Sequence, residues 1–298
     1  MPNLETFKRK IDTAADLQSV VKTMKALAAV SIRQYQKAVI SLESYDKTLE
    51  MGLQILLKVA PEVLLGNGNL VTQKQQLAVV VFGSDQGMCG QFNEKIANYT
   101  LETLEKQGIM ISNCTLLTIG LRLSDRLENL GYPSERMLTV PSSIEGITTT
   151  IQETVLILEQ WRQERHINQI LVFNNDFISG SNYYPRDLQI FPLNINRLNA
   201  LKQQPWPSHC LPTFTMSPES LASALFKQHF FVSLYRASAE SLASENASRL
   251  ALMQVAEKNI KDRLLELQKE FQHHRQSDIT EEMLDIISGF EALNKSTK

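Results

Sequence analysis

RLALMQVAEKNIKDRLLELQKEFQHHRQSDITEEMLDIISGFEAL, residues 249–293, decides how this chain folds. Leu250, Met253, Ile260, Leu264, Leu267 and Phe271 fall at steps of three and four or their sums, and Ile279, Met283, Ile286, Phe290 and Leu293 resume the pattern. After Pro218 there is no further proline, and the only glycine is Gly289. A 3–4 step sustained over many turns without a breaker predicts one long helix carrying a coiled-coil seam. About 75 residues at a rise of 1.5 Å would extend roughly 110 Å, far beyond a small globular domain. Such a helix needs a partner rod or a surface to reach into.

The other end of the chain supplies the partner. Leu4, Phe7, Ile11, Ala14, Val21, Met24, Ala28, Tyr35, Val39, Leu42, Leu49, Leu53 and Leu56 repeat with the same spacing. Pro2 suits a first helical turn, and Pro61 with Gly66 and Gly68 marks the stop. Ala14, Ala28 and Ala29 allow a close helix approach. Up to Ile40 this helix holds seven basic residues (Lys8, Arg9, Lys10, Lys22, Lys25, Arg33, Lys37) against three acids (Glu5, Asp12, Asp16). A solvated face explains such a run; a cationic helix meeting an acidic partner surface is the sharper reading.

Between the helices the period changes. LAVVVF (Leu77–Phe82) is a short β-branched run fit for a buried parallel strand. TLLTIG (Thr115–Gly120), MLTV (Met137–Val140), INQILVF (Ile167–Phe173) and DLQIFPL (Asp187–Leu193) are further strand candidates, separated by helical stretches at Phe92–Lys106, up to Leu130 and at Ile147–Arg165. Strands alternating with helices predict a small open α/β sheet with crossover connections. Asn194–Met216, rich in Asn, Gln and Pro, reads as a surface link. The expected fold is a long antiparallel two-helix coiled coil with an inserted Rossmann-like α/β domain. Its parts are residues 1–60, 61–216 and 217–298.

Composition narrows the function. Of 298 residues, 43% are hydrophobic and 21% charged, and the net charge of −2 gives no pull toward nucleic acid or an anionic membrane. Cys89, Cys114 and Cys210 form no disulfide framework or zinc site, which fits a reducing compartment. No apolar run reaches a membrane span, and the first residues resemble neither a signal nor a transit peptide.

GSDQGMCG (Gly83–Gly90) stands where phosphate loops sit, after a strand and before a helix. It fits neither G-x-G-x-x-G nor a G-K-[ST] ending, so its glycines read as turn residues with positive φ. Cys89 near a helix start invites a nucleophile reading, yet no histidine or acid supports it at a recognisable spacing. His273 and His274 are adjacent and diverge by about 100° on a helix, too far apart to clasp one metal. Ser142 and Ser143 lack the G-x-S-x-G elbow. No catalytic, cofactor or metal residue emerges. QHHRQSD (Gln272–Asp278) is a polar belt across the seam, either a register defect, a helix end free of its partner, or a face for a third surface.

Several ordered motifs carry a resemblance. ASENASRLALM (Ala243–Met253) and FQHHRQSDITEEMLDIISGFEAL (Phe271–Leu293) resemble the carboxyl-terminal signature of the gamma subunit of rotary F-type ATP synthases. KTMKALAA (Lys22–Ala29) is similar to the family's amino-terminal K-A-M-x-M-V-A-A. SDQGMCGQFN (Ser84–Asn93) resembles its S-D-R-G-L-C-G-G-L-N, and FNNDFISG (Phe173–Gly180) its Y-N-x-F-x-S strand end. The resemblance implies a rotor shaft, one copy per complex, without chemistry or cofactor of its own. It also implies its partners: three catalytic and three non-catalytic subunits, an epsilon-type subunit and a membrane ring of small c-type subunits. The family's contacts with the catalytic subunits carry over to Arg249, Arg275, Gln276, Thr280 and Glu282, with Met24 and Lys25 on the facing stretch of the first helix. Gln86, Gln91, Lys25, Ala26 and Val30 depart from the family pattern, as in a divergent branch such as a sodium-linked F-type ATPase. A peripheral place on the cytoplasmic side of a bacterial plasma membrane, or on a thylakoid membrane in a cyanobacterium, follows. Two other readings compete: a nucleotide-binding α/β protein with helical arms, resting on GSDQGMCG, and a coiled-coil adaptor outside any ATPase.

Overall fold

A computed structural model of the protein describes residues 4–65, 76–109, 113–180 and 182–296, without the side chains of residues 65 and 289–296. Pro2, Gly66 and Gly68, expected as helix signals, lie outside the described residues, as do the side chains of Phe290 and Leu293. The elements run α1 (Leu4–Val59), α2 (Pro61–Leu65), β1 (Leu77–Phe82), α3 (Phe92–Lys106), β2 (Cys114–Ile119), α4 (Leu121–Asn129), β3 (Arg136–Leu138), α5 (Ile144–Arg165), β4 (Gln169–Ser179), β5 (Asn182–Phe191), α6 (Ile195–Gln203) and α7 (Pro218–Ser296). Contacts divide the chain into two compact units, Met1–Leu27 with Leu250–Lys298, and Ala28–Arg249.

The larger unit is built on a five-stranded sheet of order β3-β2-β1-β4-β5. β1 pairs in parallel with β2 and β4, β2 with β3, and β5 closes one edge antiparallel to β4. Side chains alternate across a strand, so β1 feeds two cores. Ala78, Val80 and Phe82 face α5 and α7, packing with Ile147, Ile151, Leu234 and Leu242. Leu77, Val79 and Val81 face α3 and α4, packing with Ile96, Leu123 and Leu127. All six β1 side chains are buried, which is why LAVVVF has no polar alternation. In this unit α1 and α7 run antiparallel: Arg236 pairs with Asp46 at 2.8 Å, and Leu56 and Ala60 pack on Ala222.

Three of the departures from the sequence expectation have a visible cause. β4 and β5 are longer than their apolar runs, because tertiary partners hold a polar extension. Asn174 donates to Glu240 (3.1 Å), Asn175 donates to the Phe92 carbonyl (3.3 Å), and Ser244 donates to the Asn175 carbonyl (3.0 Å). Burial beneath this hairpin pushes the Glu240 carboxyl up to about 7. α6 stands where a plain link was expected, because the Asn194 side chain accepts from the Asn196 and Arg197 amides as an N-cap. α5 begins at Ile144 because Ser143 caps it through the Gly146 amide.

In the smaller unit α1 and α7 also pack antiparallel. Phe7 stacks on His274 with ring centroids 4.9 Å apart, and Lys25 pairs with Glu257. Phe7, Met253 and Leu267 are buried. The seam therefore runs through the polar belt as far as His274 before it ends. Ile279, Met283 and Ile286 keep the seam spacing but are 52%, 62% and 72% exposed.

Candidate functional site

Two places invite a functional reading: the turn after β1, and the surface of the helix pair in the smaller unit.

The turn is closed on itself. Ser84 donates to the Gln86 carbonyl (2.9 Å), and Asn93 both accepts from the Ser84 amide (3.0 Å) and donates to its hydroxyl (2.8 Å). The Asp85 carboxylate accepts from the Leu121 amide at the start of α4 and from the Val140 amide, each at 2.8 Å. A helix N-terminus attracts an anion, and here the chain's own carboxylate takes that position. A phosphate would meet a negative charge and occupied donors. Among the expected positive-φ glycines of this turn, only Gly90 (φ 60°) is one; Met88 (φ 59°) shares that conformation. Gly83 serves close packing instead, since a Cβ there would lie 2.3 Å from the Leu123 Cβ. Replacing Asp85 by Ala leaves two amides without their charged acceptor and should lower stability by about 2 kcal/mol, read as a fall in melting temperature. Asp85→Ala should also leave ATP binding undetectable by titration calorimetry; new binding would revive the nucleotide reading.

Cys89 lies beneath this turn, buried, with its sulfur 3.5 Å from the Ser84 hydroxyl. Burial pushes its thiol up, the opposite of an activated nucleophile. The Cys89 carbonyl accepts from Ser248 of α7 at 2.6 Å, so the turn braces α7. Among the described residues no group of three or more His, Cys, Asp or Glu could hold a metal, and no helix is long and apolar enough to cross a membrane.

The helix-pair residues fall into separate groups. Met24 and Lys25 are half-buried on α1, where the Lys25 ammonium donates to the Glu257 carboxylate of α7. Arg275, Gln276, Thr280 and Glu282 are exposed on α7. Antiparallel pairing keeps these groups from facing each other. His274 of the belt faces Phe7, and Lys25 lies eighteen residues beyond Phe7 on α1, about 27 Å by helical rise. Met24 and Lys25 are thus not the stretch that faces the belt. Thr280 donates to the Gln276 carbonyl (2.8 Å), while Arg275 has no hydrogen bond or ion pair among the described residues. Its guanidinium is free for a partner.

Arg249 sits differently, in the larger unit. It is 9% exposed and bonds Glu245, 2.5 Å away on the preceding turn. Glu245 and Glu257 were both missed by sequence reasoning, though spacing held a signal for each. Glu245 stands four residues before Arg249, and Glu257 four after Met253 on the seam.

A family model described as ATP synthase matches residues 3–293. The ATP synthase gamma chain of Ehrlichia chaffeensis is 26% identical over 294 residues, covering 99% of this chain and all of that one. The ATP synthase gamma chain of Magnetococcus marinus is 28% identical over 303 residues, covering 98% of this chain and 99% of that one. A chain in the cryo-EM structure of Euglena gracilis mitochondrial ATP synthase (OSCP/F1/c-ring, rotational state 3) shares the fold, with a TM-score of 0.64 at 16% identity over 99% of this chain and 96% of that one.

Proposed function

The chain belongs to the ATP synthase gamma-chain family, and on that premise we propose that it is the central rotor shaft of an F-type ATP synthase. It couples ion flow through the membrane ring to conformational cycling of the catalytic subunits, for ATP synthesis or hydrolysis. It is a non-catalytic subunit. Turning an asymmetric shaft gives each nucleotide site a different contact surface in turn, so coupling is a shift of conformational populations rather than chemistry. Its partners are the three catalytic and three non-catalytic subunits and the ring of c-type subunits; an epsilon-type subunit belongs to the same proposal. The protein is a peripheral part of a membrane-attached complex, and we place it on the cytoplasmic face of a bacterial membrane. The division into residues 1–60, 61–216 and 217–298 serves this role, the two helices as shaft and the insert as its seat. Identities of 26–28% over nearly the whole chain suit a divergent branch, whose sodium or proton coupling would be read in its ring subunit.

One observation carries the shaft reading. Past His274, α7 exposes Ile279, Met283, Leu284, Ile286 and Ile287, each at least 50% accessible. Large apolar side chains this dense on one exposed helix need a surrounding surface, and a sleeve of partner subunits supplies one. Co-purification tests this: the tagged chain should bring down subunits carrying phosphate loops. Recovery of the chain without them would sink it.

Within that reading Arg275, Gln276, Thr280 and Glu282 form a polar catch that leads into and runs alongside the apolar stripe, Met24 and Lys25 lie on a second stretch, and Arg249 acts from its buried pair. A guanidinium offers directional hydrogen bonds that favour one shaft orientation over others. Arg275→Ala should remove charged bonds worth about 1.5–3 kcal/mol to a partner. It should leave the melting temperature of the chain unchanged, because Arg275 is exposed. ATP-driven ion pumping should fall severalfold relative to hydrolysis; unchanged pumping per ATP would remove Arg275 from the catch.

A further inference from the structure

The helix pair of the smaller unit carries a charged pair where its spacing calls for apolar side chains. On α7 the positions Met253, Glu257, Ile260, Leu264, Leu267, Phe271 and His274 alternate steps of four and three. On α1 the positions Phe7, Ile11, Ala14, Gln18, Val21 and Lys25 do the same. Both runs are strict heptad seams. Lys25 and Glu257 each occupy a seam position, and across the pair the Lys25 ammonium donates to the Glu257 carboxylate. We propose that Lys25 and Glu257 form a register clamp, which makes Glu257 a positioning residue for the coupling surface borne by these helices.

The physical case rests on what the alternatives would do. On α1 the seam between Phe7 and Lys25 has no aromatic to fix its alignment, only Ile11, Ala14, Gln18 and Val21. Apolar residues at heptad spacing pack almost as well after a slip of seven residues, so they specify register weakly. A charged residue in a seam costs stability and tolerates only the alignment that brings its counter-charge. A slip of α1 by one heptad toward the α7 amino end would place Lys25 opposite Leu250 and Glu257 opposite Gln18, so each charge would lose its counter-charge. The field at Glu257 is already one-sided. The bond from Lys25, then the charges of Lys25, Lys22 and Lys261, hold its carboxyl below the usual carboxylate range. Glu257 is thus the anion that lets these lysines share one stretch of the helix pair. Met24, beside Lys25, and the polar belt, which begins fifteen residues past Glu257, take their axial placement from this alignment.

The clamp bears on the shaft function and so rests on that reading, but its register can be tested separately. In the assembled complex, cysteines replacing Ala14 and Leu267, which line one groove, should cross-link in the native register. A pair replacing Ala14 and Ile260 should cross-link only after a one-heptad slip. The native chain should give the first product alone. Lys25→Leu with Glu257→Leu should raise the melting temperature yet yield both products, and should lower ions pumped per ATP about twofold, the scale of a half-exposed pair. The exchanged pair, Lys25→Glu with Glu257→Lys, should restore the single product and the pumping ratio. If the double leucine variant keeps only the native cross-link, the clamp is wrong even where the complex assembles and pumps. Failure of the complex to assemble with the native chain would instead overturn the shaft reading, and the cross-links in the full chain alone would still decide the register.

Discussion

Arg249→Ala should destabilise the sheet-bearing unit by about 3–5 kcal/mol, among the largest effects open to a single side chain here. Glu245 is 5% exposed on the same helix, one turn earlier, and Arg249 is the cation bonded to it. Burial alone pushes the Glu245 carboxyl up, and the Arg249 charge opposes that shift. The pair is already imperfect, since the Glu245 Oε2 and Arg249 Nε atoms have no hydrogen-bond partner among the described residues. Without Arg249 the carboxylate must stay charged in an apolar setting or take up a proton, and either route costs folding free energy. The sign with pH follows. A carboxyl whose folded pKa is raised favours the folded state at low pH and loses that stability as pH rises toward and through the raised value. The deficit of Arg249→Ala should therefore be largest at neutral pH and shrink on acidification toward the ordinary carboxylate range. Thermal melts of the full chain across that range would measure it. Glu245→Leu with Arg249→Met removes both charges and should cost less than Arg249→Ala alone. A pH-independent deficit, or a double variant no better than the single, would show that the pair is not what holds this part of α7. The result also decides how Arg249 is read in coupling. A guanidinium turned inward onto its own helix can affect partners only by setting the shape of α7, so a loss of coupling in an Arg249 variant means little unless its fold is measured too.

That case marks where sequence reading reaches and where it stops. The long helices were legible because their spacing is strict and almost free of breakers, and β1 because six consecutive buried residues leave no polar alternation to misread. The β4–β5 hairpin was legible only in its apolar halves. Asn174 and Asn175 are poor strand formers, and they stay extended because Glu240, Phe92 and Ser244, distant in sequence, bond them. α6 depended on one cap, Asn194, in a stretch whose composition reads as a loop. The candidate site divides in the same way. Arg275, Gln276, Thr280 and Glu282 were reached through motif resemblance, and their exposure fits a partner surface. Composition could not show that His274 continues the seam against Phe7, or that Lys25 is spoken for by Glu257, because both depend on the register between two helices. Placing the two heptad runs side by side in antiparallel order would have found the second.

Gly120→Ala should have an effect of similar size by a different route, next to Leu121, one of Asp85's two amide partners. Gly120 links β2 to α4 at φ 128°, a backbone region that side chains rarely adopt, and the strain alone is worth about 1–3 kcal/mol. Space is also lacking. A Cβ at Gly120 would lie 2.7 Å from the Ser84 amide nitrogen and 2.8 Å from the Gly83 carbonyl carbon. Both are backbone atoms, with no flexible side chain to yield, so a further overpacking cost of about 1–3 kcal/mol adds to the strain. The neighbouring bonds would shift with it: Gly120 donates to the Leu138 carbonyl at 2.9 Å, and Arg122 to the Ser84 carbonyl at 3.0 Å. Two other glycines separate the contributions. Gly131 has φ 87° but nothing within 4 Å of its would-be Cβ, so Gly131→Ala reports strain alone. Gly87 has neither positive φ nor a neighbour within 4 Å, and Gly87→Ala should be close to neutral. Denaturant melts of the three variants should therefore rank Gly120 well below Gly131, and Gly131 below Gly87. If Gly120→Ala is no worse than Gly131→Ala, the contact between Gly120 and the turn after β1 is looser than 2.7 Å implies, and the Asp85 bonds that depend on the turn carry less of the unit's stability than assigned to them. If the ranking holds, the loop that looked like a phosphate cradle is a tightly packed joint, closed at Gly83 and Ser84 by the backbone of Gly120.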